Sequence, residues 1–179
     1  GMSPNGQRRA SLLYRDAKPL PVAGHGEGIY IFDEHGKRYI DGCSGAINAN
    51  LGHGNKRVQA AANAQMDKVA FTYRTQFESD AANELAELIC SFAPPELTRV
   101  FFANSGSEAV ETAIKLARQY WFAKGKTGKR HVIARSPSYH AATLGALGVS
   151  GRPGLRQLFQ PMLVPTPHVE PPYCYRCPF

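Results

Sequence analysis

The residues best placed to do chemistry are Ser105, Gly106 and Ser107, which stand between a short apolar run and a helical pattern. The run at residues 100–103 is typical of a buried strand, and the apolar spacing of residues 109–117 predicts a helix. A strand that turns directly into a helix presents unpaired backbone N–H groups and the positive end of the helix dipole at one point. Such a turn is suited to bind an anion, most often a phosphate.

An ordinary helix cap or one of the common nucleotide loops could also produce this turn. In a capping turn, Ser105 or Ser107 would cap the helix and Glu108 would be the acidic residue of its first turn. No G-x-G-x-x-G motif follows the strand, which excludes the dinucleotide fingerprint. Gly125-Lys126-Thr127 resembles the end of a Walker A loop, but Tyr120 stands where its first glycine should be.

Hydrophobic periodicity predicts the elements that must position these residues. Alternating helices and strands with short connections indicate a parallel or mostly parallel α/β sheet. The second of the predicted helices has an apolar face that we expect to be buried, formed by Ala82, Leu85, Leu88, Ile89 and Phe92. The predicted elements are a hairpin at 28–41 that turns at 33–36, helices at about 55–69 and 79–92, strands at 100–103 and 131–134, and a helix from near His140.

Residues 101–118, FFANSGSEAVETAIKLAR, resemble the phosphate-binding segment of class III aminotransferases, the ω-transaminase branch of the fold-type-I enzymes that depend on pyridoxal phosphate. The resemblance extends to other parts of the chain. Residues 26–42 resemble the N-terminal hairpin of that family, and residues 51–54 resemble its glycine-histidine element. Residues 138–141, Ser-Tyr-His-Ala, stand where the family usually has Tyr-His-Gly. These elements occur in the family's order and cover about residues 20–150.

The resemblance implies the α/β fold of fold-type-I pyridoxal-phosphate transferases. In that fold a mostly parallel sheet forms the large domain, and an N-terminal β-hairpin arm belongs to a small domain. We expect residues 1–54 to be the arm and hairpin, and residues 55–179 to be the first part of the large domain that binds the cofactor. Family members are considerably longer than 179 residues, so the chain is expected to be the N-terminal portion of such an enzyme.

Pyridoxal 5'-phosphate is the cofactor that the resemblance implies. Its phosphate would bind at Ser105, Gly106 and Ser107, and its pyridine ring would stack on Tyr139. Tyr139 also follows a predicted strand and a Ser-Pro-Ser turn, at the carboxyl end of the sheet, where α/β proteins bind ligands. The alternative for Tyr139 is a residue that only closes the turn. His140 is assigned to the same cofactor site, either in direct contact with the cofactor or in a packing role.

Two departures from the family pattern concern the substrate and the backbone. The resemblance places Ala46 and Ile47 in the substrate pocket, where many ω-transaminases carry an aromatic residue, often Trp, at the position of Ala46. Alanine there removes a large wall and leaves room for a bulkier amine, unless another side chain fills the space. The glycine that the family has after Tyr-His is Ala141 here. That change is expected to cost little unless the position needs a positive φ.

The resemblance implies a class III aminotransferase that moves an amino group from an amine or ω-amino acid to an oxo-acid or aldehyde. The Lys that forms a Schiff base with the cofactor is expected beyond Phe179, so no catalytic residue is assigned within this chain. Lys115 is interpreted as a surface partner of Glu111 four residues earlier. The family implies a homodimer with active sites at the subunit interface. Another pyridoxal-phosphate enzyme (a racemase, mutase or decarboxylase) and a non-catalytic module that binds a phosphate ligand or a partner are the alternatives.

Composition and charge reduce the number of other functions that are possible. The net charge is +7, but the 21 Lys and Arg residues are scattered and do not alternate with aromatic residues, which argues against nucleic-acid binding. No apolar run is long enough for a membrane span, and a cytoplasmic location is expected. No metal site is assigned. Cys43 and Cys90 are expected to be reduced. The Cys174-x-x-Cys177 motif is interpreted as an incidental or structural pair, with half a zinc site or a redox pair as alternatives.

Overall fold

The computed structural model describes residues 20–177 of the 179-residue chain. The chain divides into two compact units, with the division in sequence between Asp80 and Ala81. The first unit carries an antiparallel sheet, and the second carries a short parallel sheet and the longest helix of the described chain. The predicted division at residues 54 and 55 concerns the domains of a longer protein and stays a prediction. The part of the predicted arm that precedes residue 20 lies outside the described residues.

The first unit is built on a three-stranded antiparallel sheet whose strands are neighbours in the order of the chain. The hairpin predicted from alternation is confirmed, because β2 (Tyr30–Asp33) pairs with β3 (Arg38–Ile40) and places Tyr30 opposite Ile40. The third strand, β1 (Ala23–Glu27), pairs with the other edge of β2. Its sequence, Ala-Gly-His-Gly-Glu, contains two glycines and no β-branched residue, and for that reason the alternation pattern missed it.

The turn between β2 and β3 is organised by the buried carboxylate of Asp33. Its Oδ1 accepts the backbone N–H groups of His35 and Lys37, each at 2.9 Å, and its Oδ2 accepts the Tyr39 hydroxyl at 2.9 Å. Burial raises the pKa of the Asp33 carboxyl, but the hydrogen bonds from Lys37, Tyr39 and His35 lower it more. The pKa of Asp33 therefore lies below its ordinary value.

The glycine-histidine element lies against the end of β1 through close backbone contacts. The backbone N–H of Gly28 donates to the His53 carbonyl at 3.0 Å, and the His53 N–H donates back to the Gly28 carbonyl at 2.8 Å. A Cβ on Gly26 would lie 2.6 Å from the Cβ of His53, and Gly52 has a φ of +77°. Two of these glycines are therefore required, one for a close approach and one for a left-handed backbone.

The helices predicted at 55–69 and 79–92 and the helix that follows Ser105 are confirmed. A short turn, α1 (Ser44–Ile47), precedes α2 (Lys56–Lys68), which begins at Asn55 with its side chain accepting the Val58 N–H. The next two are α3 (Asp80–Phe92) and α4 (Gly106–Ala123). These helices were predictable because capping residues and apolar spacing are local properties of the sequence.

The buried face predicted for α3 is wrong for this chain. Leu85, Leu88 and Ile89 are 47%, 54% and 41% exposed, and Phe92 is 83% exposed. Apolar spacing identifies the face of a helix that is suited to burial, but it does not identify what covers that face. In the described chain this face of α3 is open to solvent.

The strand predictions in the second unit are only partly confirmed. Residues 100–103 are not in a strand, and the strand predicted at 131–134 is shifted to β4 (Ala134–Arg135). Its partner β5 (His168–Val169) runs parallel to it, which agrees with the predicted strand direction. A strand is defined by the ladder it makes with a neighbour, and a sequence window contains no information about that neighbour.

The core of the second unit surrounds α5 (Leu144–Val149), four residues later than the helix predicted from His140. Side chains of this helix are buried, and Ser150 at its end is fully buried. It is followed by α6 (Pro153–Arg156) and a 3₁₀ helix, η1 (Gln157–Met162). The guanidinium of Arg156 donates to the carbonyls of Gly148 and Ser150, so that a cation satisfies the carboxyl end of α5.

Asp33→Asn tests the turn carboxylate. The lowered pKa means that Asp33 stabilises the folded state above the ordinary pKa of an aspartate and that this contribution is lost as the pH falls through the folded pKa. We expect Asp33→Asn to lower the urea midpoint at neutral pH and to approach wild type in acid. Glu27→Gln, on exposed β1, is the matched control and should leave the difference between neutral and acid midpoints unchanged. An equal deficit of Asp33→Asn at both pH values would contradict the role of the charge.

Candidate active site

The start of α4 is closed by a reciprocal cap. Ser105, in extended conformation, accepts the Glu108 N–H on its Oγ at 3.2 Å. The Glu108 carboxylate in turn accepts the backbone N–H of Asn104 at 2.8 Å and its side-chain amide at 3.2 Å. This is a variant of the capping box, and it gives Ser105 the capping role that the sequence left open. The cap also keeps the negatively charged Glu108 carboxylate hydrogen-bonded to Asn104.

Gly106 and Ser107 leave two backbone donors at the same point. Within residues 20–177, no acceptor takes the N–H groups of Gly106 and Ser107. Apart from its chain neighbours and the backbone of its own helix, a Cβ on Gly106 would meet no atom within 4 Å, so the space beside Gly106 is open. Open donors at the start of an 18-residue helix, together with the helix dipole, fit a phosphate group.

The loop at residues 138–143 lies beside this helix start. The backbone N–H of Ala142 donates to Ser107 Oγ at 3.4 Å. Farther along α4, Glu111 Oε1 accepts the Thr143 hydroxyl at 2.7 Å and the Ala146 N–H at 3.2 Å. Glu111 therefore fastens both the loop and the beginning of α5 to α4, and Ser107 is brought to the same loop that carries Tyr139.

Glu111 is a residue whose role the sequence prediction assigned wrongly. The predicted surface pair with Lys115 is not formed in the described chain, because the Glu111 carboxylate is taken by α5. A Cβ on Gly145 would clash with the Glu111 carboxylate, so a larger residue here would displace this end of the Glu111 side chain. The spacing of four residues favoured an ion pair between Glu111 and Lys115. The sequence signal for the contact that forms instead was the Thr143-x-Gly145 pattern at the start of α5.

Tyr139 lies in this loop with 56% of its surface exposed. The guanidinium of Arg152 lies over the Tyr139 ring, 5.6 Å from its centroid. A cation on one face of an aromatic ring leaves the opposite face for a flat ligand. Arg152 was not identified from the sequence, because a cation–π contact between residues 13 apart has no local signature.

His140 is held in the loop by its backbone. Its N–H donates at 2.9 Å to the Oγ of Ser150, which donates in turn to the Ala146 carbonyl at 2.9 Å. In the part of the chain that the structure describes, the His140 side chain makes no hydrogen bond. The structure therefore places His140 next to Tyr139 without joining its imidazole to the start of α4.

Ala141 has a φ of +121°, in a region that favours glycine, and only 7% of its surface is exposed. Alanine was expected to cost little stability at this position unless the backbone needed a positive φ. The backbone does have a positive φ, so we expect the alanine to lower the stability. An alanine at such a φ is strained, and strain of this kind persists where the surrounding contacts fix the backbone.

Ala46 and Ile47 belong to the first unit, in the turn that follows β3. Asp41 Oδ1 accepts the Gly45 N–H at 2.8 Å, and Asp41 Oδ2 lies 2.7 Å from His53 Nε2. The hydrogen bonds from Gly45 and His53 hold the pKa of the Asp41 carboxyl below its ordinary value. Ile47 has a φ of +64° and is 83% exposed, which is an unusual backbone angle for a β-branched residue. The Asp41–His53 pair was not identified from the sequence.

A metal-binding cluster and a membrane-spanning helix are both absent from the described residues. Within residues 20–177, His, Cys, Asp and Glu side chains do not come together in groups of three or more that could hold a metal ion. None of the helices in the same range combines the length and the apolar character needed to cross a bilayer.

Ala141→Gly tests the strain in the site loop. Relief of a strained φ is worth about 1–3 kcal/mol, and glycine costs about 0.5–1 kcal/mol in unfolded-state entropy. We expect the substitution to raise the free energy of unfolding by about 1 kcal/mol, or the Tm by about 2–4 °C. Ala142→Gly, the neighbour without a positive φ, is the control and should lower the stability. A similar loss in both variants would show that Ala141 is not strained.

Comparison with known proteins identifies the family. Residues 14–179 match the family described as Aminotransferase class-III. The uncharacterized aminotransferase YodT of Bacillus subtilis is 44% identical over 156 residues, which are 87% of this chain and 35% of that protein. The adenosylmethionine-8-amino-7-oxononanoate aminotransferase of Geobacter sulfurreducens is 39% identical over 166 residues, which are 92% of this chain and 36% of that protein.

A solved structure that resembles this chain is also that of a transaminase. The omega transaminase from Pseudomonas jessenii in complex with PMP is 35% identical, with a TM-score of 0.84 over 89% of this chain and 36% of that chain. The chain thus spans about a third of the length of the proteins it matches, 35% of the Bacillus protein and 36% of the other two. The predicted fold class is confirmed, with an antiparallel hairpin sheet and a parallel sheet in an α/β arrangement. The chain belongs to the class III aminotransferase family.

Proposed function

We propose that the whole protein is an aminotransferase dependent on pyridoxal 5'-phosphate. It would move an amino group from an amine or ω-amino acid to an oxo-acid or aldehyde. The observation that carries the proposal is the open start of α4, where the N–H groups of Gly106 and Ser107 lie beside the loop of Tyr139. Membership of the family and the aminotransferase names of the relatives support it.

Different residues of this chain would bind different parts of the cofactor. When bound, pyridoxal phosphate supplies an electron sink for bond breaking at the carbon that carries the amine. The N–H groups of Gly106 and Ser107 and the Ser107 hydroxyl would bind the phosphate. Ser105 would act through its cap, which fixes the first turn of α4 and keeps Glu108 turned toward Asn104. These contacts hold one end of the cofactor and leave its reactive end to other residues.

Tyr139 would orient the ring of the cofactor by stacking, with the Arg152 guanidinium on the far side of the tyrosine ring. Glu111 would position Tyr139 indirectly, because it fastens the end of the same loop to α4. His140 would stay next to Tyr139 in the loop, held by Ser150 through its backbone. A Lys beyond residue 179, which would form the Schiff base, remains a prediction.

Ala46 and Ile47 are proposed to line the pocket for the amine. Both residues are exposed in the turn held by Asp41, and neither carries a polar side chain that would select a charged group. Such a wall suits an apolar part of the donor. The homodimer with active sites at the subunit interface and the cytoplasmic location also remain predictions for the whole protein.

The test of function is an amino-transfer assay on the full-length protein with pyridoxal phosphate. With an amine donor and an oxo-acid acceptor together, we expect formation of the amino acid in amounts exceeding the enzyme. The matched control omits the acceptor; no amino acid should then form, and the oxo product of the donor should stop at one equivalent per enzyme-bound cofactor. A racemase or decarboxylase would turn over without an acceptor, and a non-catalytic module would give no product. Either result would overturn the proposal.

Ser107→Ala and Gly106→Val test the phosphate site in the full-length protein. Loss of one hydrogen bond to a charged group costs about 1.5–3 kcal/mol, so Ser107→Ala should weaken the Kd for pyridoxal phosphate by about one to two decades. Gly106→Val should weaken it more, because the open space beside Gly106 would be filled. Ser91→Ala, which removes a serine hydroxyl from α3, is the control. Unchanged affinity in both site variants would place the phosphate elsewhere.

A further inference from the structure

Two cysteines lie at the ends of a single turn near the end of the described chain. The 3₁₀ helix η2 covers Cys174–Arg176, and its turn is closed by the Arg176 N–H, which donates to the Tyr173 carbonyl at 3.2 Å. The dihedral angles of Tyr175 and Arg176 set the distance from Cys174 to Cys177. Residues three apart in a 3₁₀ helix lie on the same side, with their Cα atoms about 6 Å apart along the axis. That separation is within the range that a disulfide spans.

Both thiols are free and accessible. Cys174 and Cys177 are exposed, and neither is in a disulfide in the structure. The side chains between and beside them contact one another, with the rings of Tyr173 and Tyr175 6.1 Å apart and the Arg176 guanidinium 5.8 Å from the Tyr175 centroid. These contacts order the turn without covering the sulfur atoms. A reagent in solution can therefore reach both thiols.

The described residues add no further metal ligand to the pair. Structural zinc needs four ligands, and within residues 20–177 no third His, Cys, Asp or Glu joins these two cysteines in a metal-binding group. The other cysteines of the chain offer a comparison. Cys43 is exposed and Cys90 is partly buried, and each belongs to a different element. Only the 174–177 pair has two accessible thiols on one turn among the described cysteines.

We propose that Cys174 and Cys177 form a dithiol that is reversibly oxidised to an intramolecular disulfide by a low-molecular-weight disulfide, such as oxidised glutathione. The thiolate of one cysteine attacks a sulfur of the small disulfide, which forms a mixed disulfide and releases one small thiolate. The thiolate of the second cysteine then attacks the protein sulfur and releases the other small thiolate. The dithiol loses two electrons and two protons, and the small disulfide becomes two thiols. This inference does not depend on the proposed amino-transfer function.

Closure of the ring is favoured by the geometry of the turn. Once the first cysteine is in a mixed disulfide, the second thiol is held at a short distance, so its effective concentration is millimolar or higher. The single cysteines Cys43 and Cys90 lack such a partner on their own element and should stop at the mixed disulfide. The difference between the two outcomes can be measured directly by mass.

The experiment equilibrates the full chain with mixtures of oxidised and reduced glutathione, quenches it with acid and an alkylating reagent, and maps the peptides by mass spectrometry. In wild type we expect the peptide with both cysteines to lose two hydrogens as the mixture becomes oxidising. Cys177→Ser should instead trap a glutathione adduct on Cys174, at least about tenfold more abundant than in wild type. Cys43→Ser is the matched control, and it should leave the oxidation of the pair unchanged.

Three results would overturn the proposal. The first is glutathione on both cysteines of the wild type without ring closure, and the second is two free thiols at every ratio. The third is protection of both thiols from alkylation by one equivalent of Zn²⁺ added alone, which would make the turn part of a metal site. Circular dichroism of each variant controls for folding, and the cysteine-to-serine changes lie on an exposed turn.

Discussion

The second unit depends on one carboxylate that joins two helices. Glu111 lies on α4, yet its oxygen accepts the Thr143 hydroxyl and the Ala146 N–H at the start of α5. A carboxylate at the beginning of a helix accepts hydrogen bonds from free N–H groups, and its negative charge interacts favourably with the positive end of the helix dipole. Because α5 carries the buried core of the unit, the same contact ties that core to the helix that starts at Gly106. Glu111 therefore connects the candidate site to the core of the second unit.

The loop between these helices is fixed from two sides. On one side Ser107 accepts the Ala142 N–H, and on the other the buried Ser150 accepts the His140 N–H. Between them Ala141 is confined at its positive φ. Such a loop loses little conformational entropy when a ligand binds, because its backbone is already ordered. The exposed ring of Tyr139 is thus presented from a rigid support.

The sequence predicted those parts of the molecule that local chemistry controls. The β2–β3 hairpin and the helices α2, α3 and α4 were predictable from alternation, apolar spacing and capping residues. The residues of the candidate site were chosen because residues 101–118 and 138–141 resemble the phosphate-binding segment and the Tyr-His-Gly element of the family. The contacts of Glu111, Arg152 and the Asp41–His53 pair were not predictable, since each joins residues that are distant in sequence. The strand expected at 100–103 failed for a related reason, because pairing depends on a neighbour.

The turn that carries Ala46 and Ile47 has a consequence for how this protein could change during evolution. Asp41 fixes the turn through the Gly45 N–H and through His53, whose backbone is paired with Gly28. The side chains of Ala46 and Ile47 are exposed and take no part in these contacts. New side chains at these two positions would alter the surface of the turn while its backbone stays in place. The two positions proposed for the amine pocket could therefore vary between descendants without a loss of folding.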